Sequence, residues 1–420
     1  MRAAGTRRSF LKGSLAAVVP MPALGQGQPR VVMVGGGFAG ATCARELKRL
    51  MPDARVMLVE PNPTFTACPF SNGVITGLRD LRAQQFNYEA LGRLGVNLVY
   101  LAASKIDPQA RTVTLSDGTA LPYDRLVLAP GVDFRWGSPA GYDEAAAARM
   151  PHAWKAGEQT LLLRRQLESM EDGGLVAISA PPNPVRCPTG VYERASLIAF
   201  YLKARKPRSK LIILDAKDSF PMQRLFLAAW QQLYPGLLEW VPLSNDGNVV
   251  SVEPETNTLV TDFDRHAAAV ANVVPPQKAG AIAAVAGVAD RTGWCPIDPV
   301  TFESSLQKNI HVIGDAAISG TMAKSAFAAN AQGKACAAAI ALMLAGETPP
   351  LGKLINTCYS LVAPDYGISI VSVYQAVNGQ YVDVEGVGGT SPLEAPRETR
   401  AAEANYAAAW FRTITAEVFG

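Results

Sequence analysis

Short, nearly continuous apolar runs recur along this chain, each followed by a turn and most by a stretch with apolar positions at helical spacing. Val31 to Val34 precede "GGGFAGATCARELKRL", and "ARVMLVE" comes next, ending at Glu60. "LPYDRLVLAPGVDF" covers 121 to 134, and "GGLVAISA" covers 173 to 180. The helical stretch "YERASLIAFYLKAR" then leads to "KLIILDA", and Ile310 to Ile313 form a last run ahead of a long Ala-rich helix. Strand, turn, helix and strand is the order of a Rossmann-like unit, and that order starts twice. The pattern predicts an α/β chain.

The two strand-to-helix turns differ in chemistry. In the first, Gly35, Gly37 and Gly40 fill G-x-G-x-x-G, with Phe38 and Ala39 opening the helix. The glycines permit a tight turn, close approach to a pyrophosphate, and close packing of helix on strand, and the helix N-terminus favours negative charge. Glu60 ends the next strand, where a carboxylate accepts ribose hydroxyls. The motif alone is weak; in this context it predicts a dinucleotide site. The second turn reads "PPNPVRCPTG", with Pro181, Pro182, Pro184 and Pro188 and the single glycine Gly190. Prolines lack the N–H donors that would cradle a phosphate. The second unit is therefore expected to keep its fold without a functional NADH site.

Composition narrows the class. With 420 residues, 49% of them hydrophobic, the chain can bury two or three domain cores. Its N-terminus, "TRRSFLKGSLAAVVPMPALGQGQ", reads as a twin-arginine export signal over residues 1–25, with Arg7 and Arg8 ahead of a short apolar run. The expectation is therefore export, already folded, to the periplasm. Removing that segment takes four of the 39 basic residues and none of the 36 acidic ones, leaving charge nearly balanced. Nothing in that balance points to nucleic acid or an anionic membrane, and no stretch after the signal reads as a stable membrane insertion. An oxidising compartment would let the six cysteines pair. His152, His266 and His311 show no metal-ligand spacing, so no metal is expected.

"NIHVIGDAAISG" and "YDRLVLAPG" together resemble the flavoprotein disulfide-reductase superfamily. The resemblance implies FAD on the first unit, with Ala129 and Gly131 beside it and Gly314 and Asp315 at its ribityl and phosphate portion. It also implies two Rossmann-like domains of the FAD/NAD(P)-binding type plus a C-terminal α+β interface domain. The expected bounds are residues 28–145 with 275–348 for FAD, 146–274 for the second domain, and 349–420 for the C-terminal one.

Within that superfamily, "CPFSN" at 68–72, the Cys187 turn, "GWCPIDPVTFES" at 293–304 and "INTCYSLVAPDYGISIVSVY" around Cys358 resemble the flavoprotein subunit of flavocytochrome c sulfide dehydrogenase. The resemblance implies a thioether from Cys68 to FAD, with Asn72 in the same cofactor motif; a buried or free thiol is the ordinary alternative for Cys68. It implies a redox-active disulfide between Cys187 and Cys358, attacked by sulfide to leave a persulfide; the alternative is a structural disulfide. Glu193 would accept a proton from HS⁻, or would serve only as a helix N-terminal carboxylate. No C-x-x-C-H is present, so haem would sit on a separate c-type cytochrome subunit. Two other readings stay open: a sulfide:quinone oxidoreductase, and a catalytically silent flavin-bearing docking or chaperone subunit of a sulfur-carrier complex. Cys43 and Cys336 read as small core residues, and Cys295 as a loop cysteine near the flavin. Trp410 and Phe411 are expected at the end of a helix that packs on the flavin or the cytochrome.

Overall fold

The computed structural model describes residues 27–420, and the expected twin-arginine segment lies outside them. The chain is α/β, built around two parallel sheets, with a C-terminal antiparallel sheet and helix. The first sheet runs, edge to edge, Ile310–Val312, Arg125–Leu128, Arg30–Val34, Arg55–Val59 and Asn97–Val99, all pairings parallel. Helices cover a parallel sheet, so its strands read as continuous apolar runs. Val31, Val32, Met33, Leu126 and Val127 accordingly have no exposed surface. The Ile310–Val312 strand reaches this sheet from far along the chain, and a tight turn at Gly314–Ala316 follows it.

The Phe38–Leu50 helix packs on the Ala326–Leu344 helix. A Cβ at Gly333 would lie 2.6 Å from the Ala39 carbonyl oxygen, so glycine is needed where the two helices meet. Cys43 and Cys336 are buried on these two helices, as expected of small core residues. By length and composition the Ala326–Leu344 helix could cross a membrane. Here its buried face is the partner of the Phe38–Leu50 helix.

The second sheet orders Leu238–Val241, Lys210–Asp215, Leu175–Ala180 and Val270–Val273, again all parallel. Its first helix, Gly190–Arg205, begins two residues before the expected "YER". The C-terminal sheet joins Lys353–Ala363, Tyr366–Val377 and Gln380–Thr390 in antiparallel order. Arg397–Phe419 then forms one helix laid along that sheet, fastened where Glu403 Oε1 accepts the Ser369 hydroxyl at 3.0 Å.

Trp410 and Phe411 are therefore mid-helix rather than at a helix end. Phe419 closes an aromatic cluster on the first domain, 5.2 Å from Phe65, 5.3 Å from Phe86 and 5.7 Å from Phe38, centroid to centroid. The apolar end of the helix thus seals the flank of the glycine turn.

Candidate active site

A cavity of about 400 Å³ lies where the two Rossmann-like units and the C-terminal sheet meet. At one end is the glycine turn. Gly35 has φ +105°, and a Cβ there would sit 2.3 Å from the Ala129 carbonyl oxygen; one on Gly40 would sit 1.9 Å from the Gly35 carbonyl oxygen. Both glycines are obligatory for the turn. Gly37 instead borders the cavity, its nearest neighbour for a Cβ being the Phe65 ring at 3.5 Å. Space there is left for a group pressed against the backbone. Glu60 Oε2 accepts the Gly36 N–H at 2.9 Å, which fixes the carboxylate at the cavity wall.

At the far strand end, Asp315 Oδ1 is buried with no hydrogen-bond partner. Burial pushes the Asp315 carboxyl above its usual range, against the pull of Arg186 and Lys324. An unpartnered buried acceptor is costly and marks a place for a donor. Ala129, Gly131, Phe38, Ala39 and Gly314 line the same cavity. The set fits a flavin dinucleotide: open backbone at Gly37 for a pyrophosphate, Glu60 for ribose hydroxyls, and Asp315 for the polyol.

Three cysteines from distant parts of the chain line the opposite portion: Cys68, Cys187 and Cys358. Cys68 contacts the Trp154 carbonyl oxygen at 3.6 Å through its sulfur. Cys187 adopts φ +54°, a left-handed conformation rare outside glycine and asparagine. Its N–H donates to the Lys324 carbonyl at 2.7 Å and its carbonyl accepts the Gly190 N–H at 2.8 Å. Cys187 is exposed, and its exposure is to the cavity; the enclosing protein pushes its thiol well above the usual range, with Cys358 and Glu193 adding to that and Arg186 opposing it. Burial also raises Cys358, countered by side-chain hydrogen bonds from Asn356, 3.3 Å from its sulfur, and Ser325. The six cysteines are free thiols here. Cys187 and Cys358, the pair expected to be redox-active, line one cavity.

Glu193 enters the wall from the first turn of the Gly190–Arg205 helix. Its Oε1 accepts the Leu361 N–H at 3.2 Å and its Oε2 accepts the Asn72 amide at 3.1 Å. Burial raises its pKa to about 7, with both hydrogen bonds and Arg194 opposing. Asn72, expected among the cofactor contacts, lines the same cavity and is also engaged by protein: its oxygen accepts from Arg194 at 3.1 Å, and its amide also reaches the Gly190 carbonyl oxygen at 3.3 Å.

The second Rossmann-like turn is the proline-rich segment expected to hold no phosphate. Residues 181–189 bring Cys187 to the cavity, and Asp215, at the end of the following strand, is saturated by three donors. These are Tyr192 Oη at 2.6 Å, Trp240 Nε1 at 2.9 Å and Lys217 Nζ at 2.6 Å. Cys295, expected near the flavin, is fully buried in a short strand paired to Ala317–Ile318 and is not part of the cavity wall. Sequence reasoning missed Arg186, Arg194 and Trp154, all of which line the cavity, where Trp410, expected on a helix packed against the flavin or the cytochrome, also stands. Arg186 beside Cys187 and Arg194 in "YER" were visible signals; Trp154 carried none.

Comparison with known proteins agrees with this geometry. The family described as "Sulfide dehydrogenase (flavocytochrome c) flavoprotein chain, central" matches residues 160–275, and "Flavocytochrome c sulphide dehydrogenase, flavin-binding" matches 350–419. "Pyridine nucleotide-disulphide oxidoreductase" matches 29–161. A 48-residue sulfide dehydrogenase (flavocytochrome c) flavoprotein chain sequence from Chlorobaculum thiosulfatiphilum is 56% identical over its whole length, which is 11% of this chain. The sulfide-quinone reductase of Aquifex aeolicus is 30% identical over 183 residues, 43% of this chain and less than half, 41%, of that protein. The crystal structure of the sulfide:quinone oxidoreductase from Aquifex aeolicus superposes with a TM-score of 0.72 at 18% identity, covering 93% of this chain and 92% of that one, a likeness of fold. The chain belongs to the flavoprotein family of flavocytochrome c sulfide dehydrogenases.

Proposed function

We propose that this chain is the FAD-bearing subunit of a periplasmic sulfide:cytochrome c oxidoreductase. It would oxidise sulfide to sulfur or polysulfide at Cys187 and Cys358 and hand the electrons to a haem on a separate c-type cytochrome chain. One observation carries the reading: Cys187 and Cys358 share a cavity with the dinucleotide cradle, while the second unit's own nucleotide turn is replaced by the proline-rich Cys187 loop.

FAD would be held at Gly35, Gly37, Glu60 and Asp315, would be joined through Cys68, and would supply a two-electron acceptor. The rest is the chain's own chemistry. In the oxidised pair HS⁻ attacks one sulfur; the Cys187–Cys358 bond breaks, a cysteine persulfide forms, and the other cysteine leaves as thiolate. Arg186 stands beside Cys187 and Asn356 donates to Cys358, so each sulfur has a group that tolerates negative charge. Glu193 takes the persulfide proton; with a pKa near 7 it can accept and release at neutral pH. Release of S⁰ with reclosure of the S–S bond then frees two electrons and restores the pair.

The test is anaerobic mixing of the FAD-loaded chain with sulfide, followed by an acceptor. The proposal requires loss of the flavin's visible absorbance and reoxidation by a c-type cytochrome. The match to the Aquifex sulfide-quinone reductase favours a second reading, a sulfide:quinone oxidoreductase. Reoxidation by a soluble quinone but not by cytochrome would establish that reading instead. A flavin untouched by sulfide would leave the silent docking subunit.

A further inference from the structure

Arg194 is the most heavily engaged charged side chain near the cavity. Its guanidinium donates to Asn72 Oδ1 at 3.1 Å, to the His152 carbonyl and Asn272 Oδ1 at 2.9 Å each, and to the Ala153 carbonyl at 2.6 Å. It also lies 5.0 Å from the Trp154 ring centroid, and the residue is 2% exposed. A guanidinium only donates. The Asn72 atom facing it must therefore be the amide oxygen, which fixes an assignment that an isolated asparagine leaves open. The NH2 group is then turned the other way. It meets two acceptors, Glu193 Oε2 at 3.1 Å and the Gly190 carbonyl oxygen at 3.3 Å.

We propose that Asn72 is the positioning residue for Glu193: with its oxygen pinned by Arg194, its amide offers only N–H to the carboxylate and holds it as an acceptor in the wall shared with Cys187 and Cys358. This rests on the reading of Glu193 as the proton acceptor in sulfide oxidation. Both carboxylate oxygens already face donors, Asn72 at one and the Leu361 N–H at the other. Both hydrogen bonds are charge-assisted, and a proton on Glu193 would weaken them. The clamp thus opposes the burial that would otherwise keep Glu193 protonated. The charged or titratable groups facing Glu193 are Arg194 on its own helix, Cys187 on the loop before it, and Cys358 on the C-terminal sheet. Asn72 and the Leu361 amide face it as neutral donors. Asn72 sits four residues past Cys68, so the clamp also ties the expected cofactor-anchoring segment to the helix that carries the base.

The experiment titrates Glu193 directly in the FAD-loaded chain, using the infrared stretching band of the protonated carboxyl, assigned as the band that Glu193→Gln removes. Losing a hydrogen bond to a charged group shifts a carboxyl by about one to two pH units. In Asn72→Leu the midpoint should rise by that amount, and the acid limb of sulfide-dependent flavin reduction should move with it. Asn72→Asp keeps the acceptor for Arg194 but sets a second carboxylate against Glu193, so it should raise the midpoint at least as far and replaces the leucine variant if that fails to fold. An unchanged midpoint in a folded variant overturns the proposal. If Glu193→Gln reduces flavin with sulfide at the wild-type rate, the base assignment fails, and the infrared midpoint still decides the role of Asn72.

Discussion

The backbone N–H of Cys187 donates to the carbonyl of Lys324 at 2.7 Å, and the Lys324 ammonium donates to the carbonyls of Asp315 and Ala317, also at 2.7 Å. One lysine therefore ties the sulfur-bearing loop of the second unit to the strand end where Asp315 awaits a donor. It is stacked 4.2 Å from the Trp294 ring centroid, and burial lowers its pKa to about 8. Lys324→Met leaves two carbonyls without their donor and should destabilise the chain by about 2–4 kcal/mol. Denaturant unfolding of the FAD-loaded protein measures this, and an unchanged midpoint would refute the structural role.

Glu193 makes stability depend on pH in a definite direction. Its folded pKa, about 7, stands above its ordinary value of 4.5. Such a group contributes stability that is fully present below the unfolded value and is lost as pH rises through the folded one. Glu193→Gln cannot titrate, so relative to the variant the wild type should lose up to about 3 kcal/mol between pH 4.5 and 8. Parallel unfolding curves for wild type and variant across that range would contradict the assignment.

NADH should neither bind nor reduce the flavin. Pro181, Pro182, Pro184 and Pro188 remove donors from the second turn, and Asp215 is held by Tyr192, Trp240 and Lys217 instead of being free for a ribose. Anaerobic addition of NADH in large excess should leave the flavin spectrum unchanged. Bleaching on mixing would show that a nucleotide site persists.

Among the described residues, Cys68 is the only cysteine besides Cys187 and Cys358 on the cavity wall. If it carries the flavin, acid-precipitated protein keeps its yellow colour, and Cys68→Ser releases that colour to the supernatant. Release from the wild type would show that the flavin is held without a covalent bond.

Much of this site was legible because short-range rules wrote it. Gly35, Gly37, Gly40 and Glu60 follow from strand, turn and helix order, Asp315 from the resemblance of its Gly-Asp strand end to the disulfide-reductase superfamily, and the expectation of no second phosphate site from the prolines of that turn. The Arg194 hub was not legible. Its partners Asn72, His152, Ala153 and Asn272 are far from it in the chain, and burial of an arginine has no local signature. Cys295 was misplaced because a cysteine before a proline reads as loop, whereas pairing with the segment after Asp315 draws it into the core. The mid-helix position of Trp410 was missed because the alternating apolar residues beyond it do not show that the helix continues to Phe419.

The central claim is that Cys187 and Cys358 are the sulfide-oxidising pair. Stopped-flow reduction of the flavin by sulfide, normalised to folded, FAD-bearing molecules, tests it most directly in Cys187→Ser and Cys358→Ser. Serine can neither form the disulfide nor leave as a thiolate, so both variants should retain FAD and lose sulfide-dependent bleaching altogether. A purely structural disulfide predicts otherwise: stability lower by about 2–5 kcal/mol, with bleaching intact in the folded fraction. Near-wild-type bleaching rates in both variants would contradict the account.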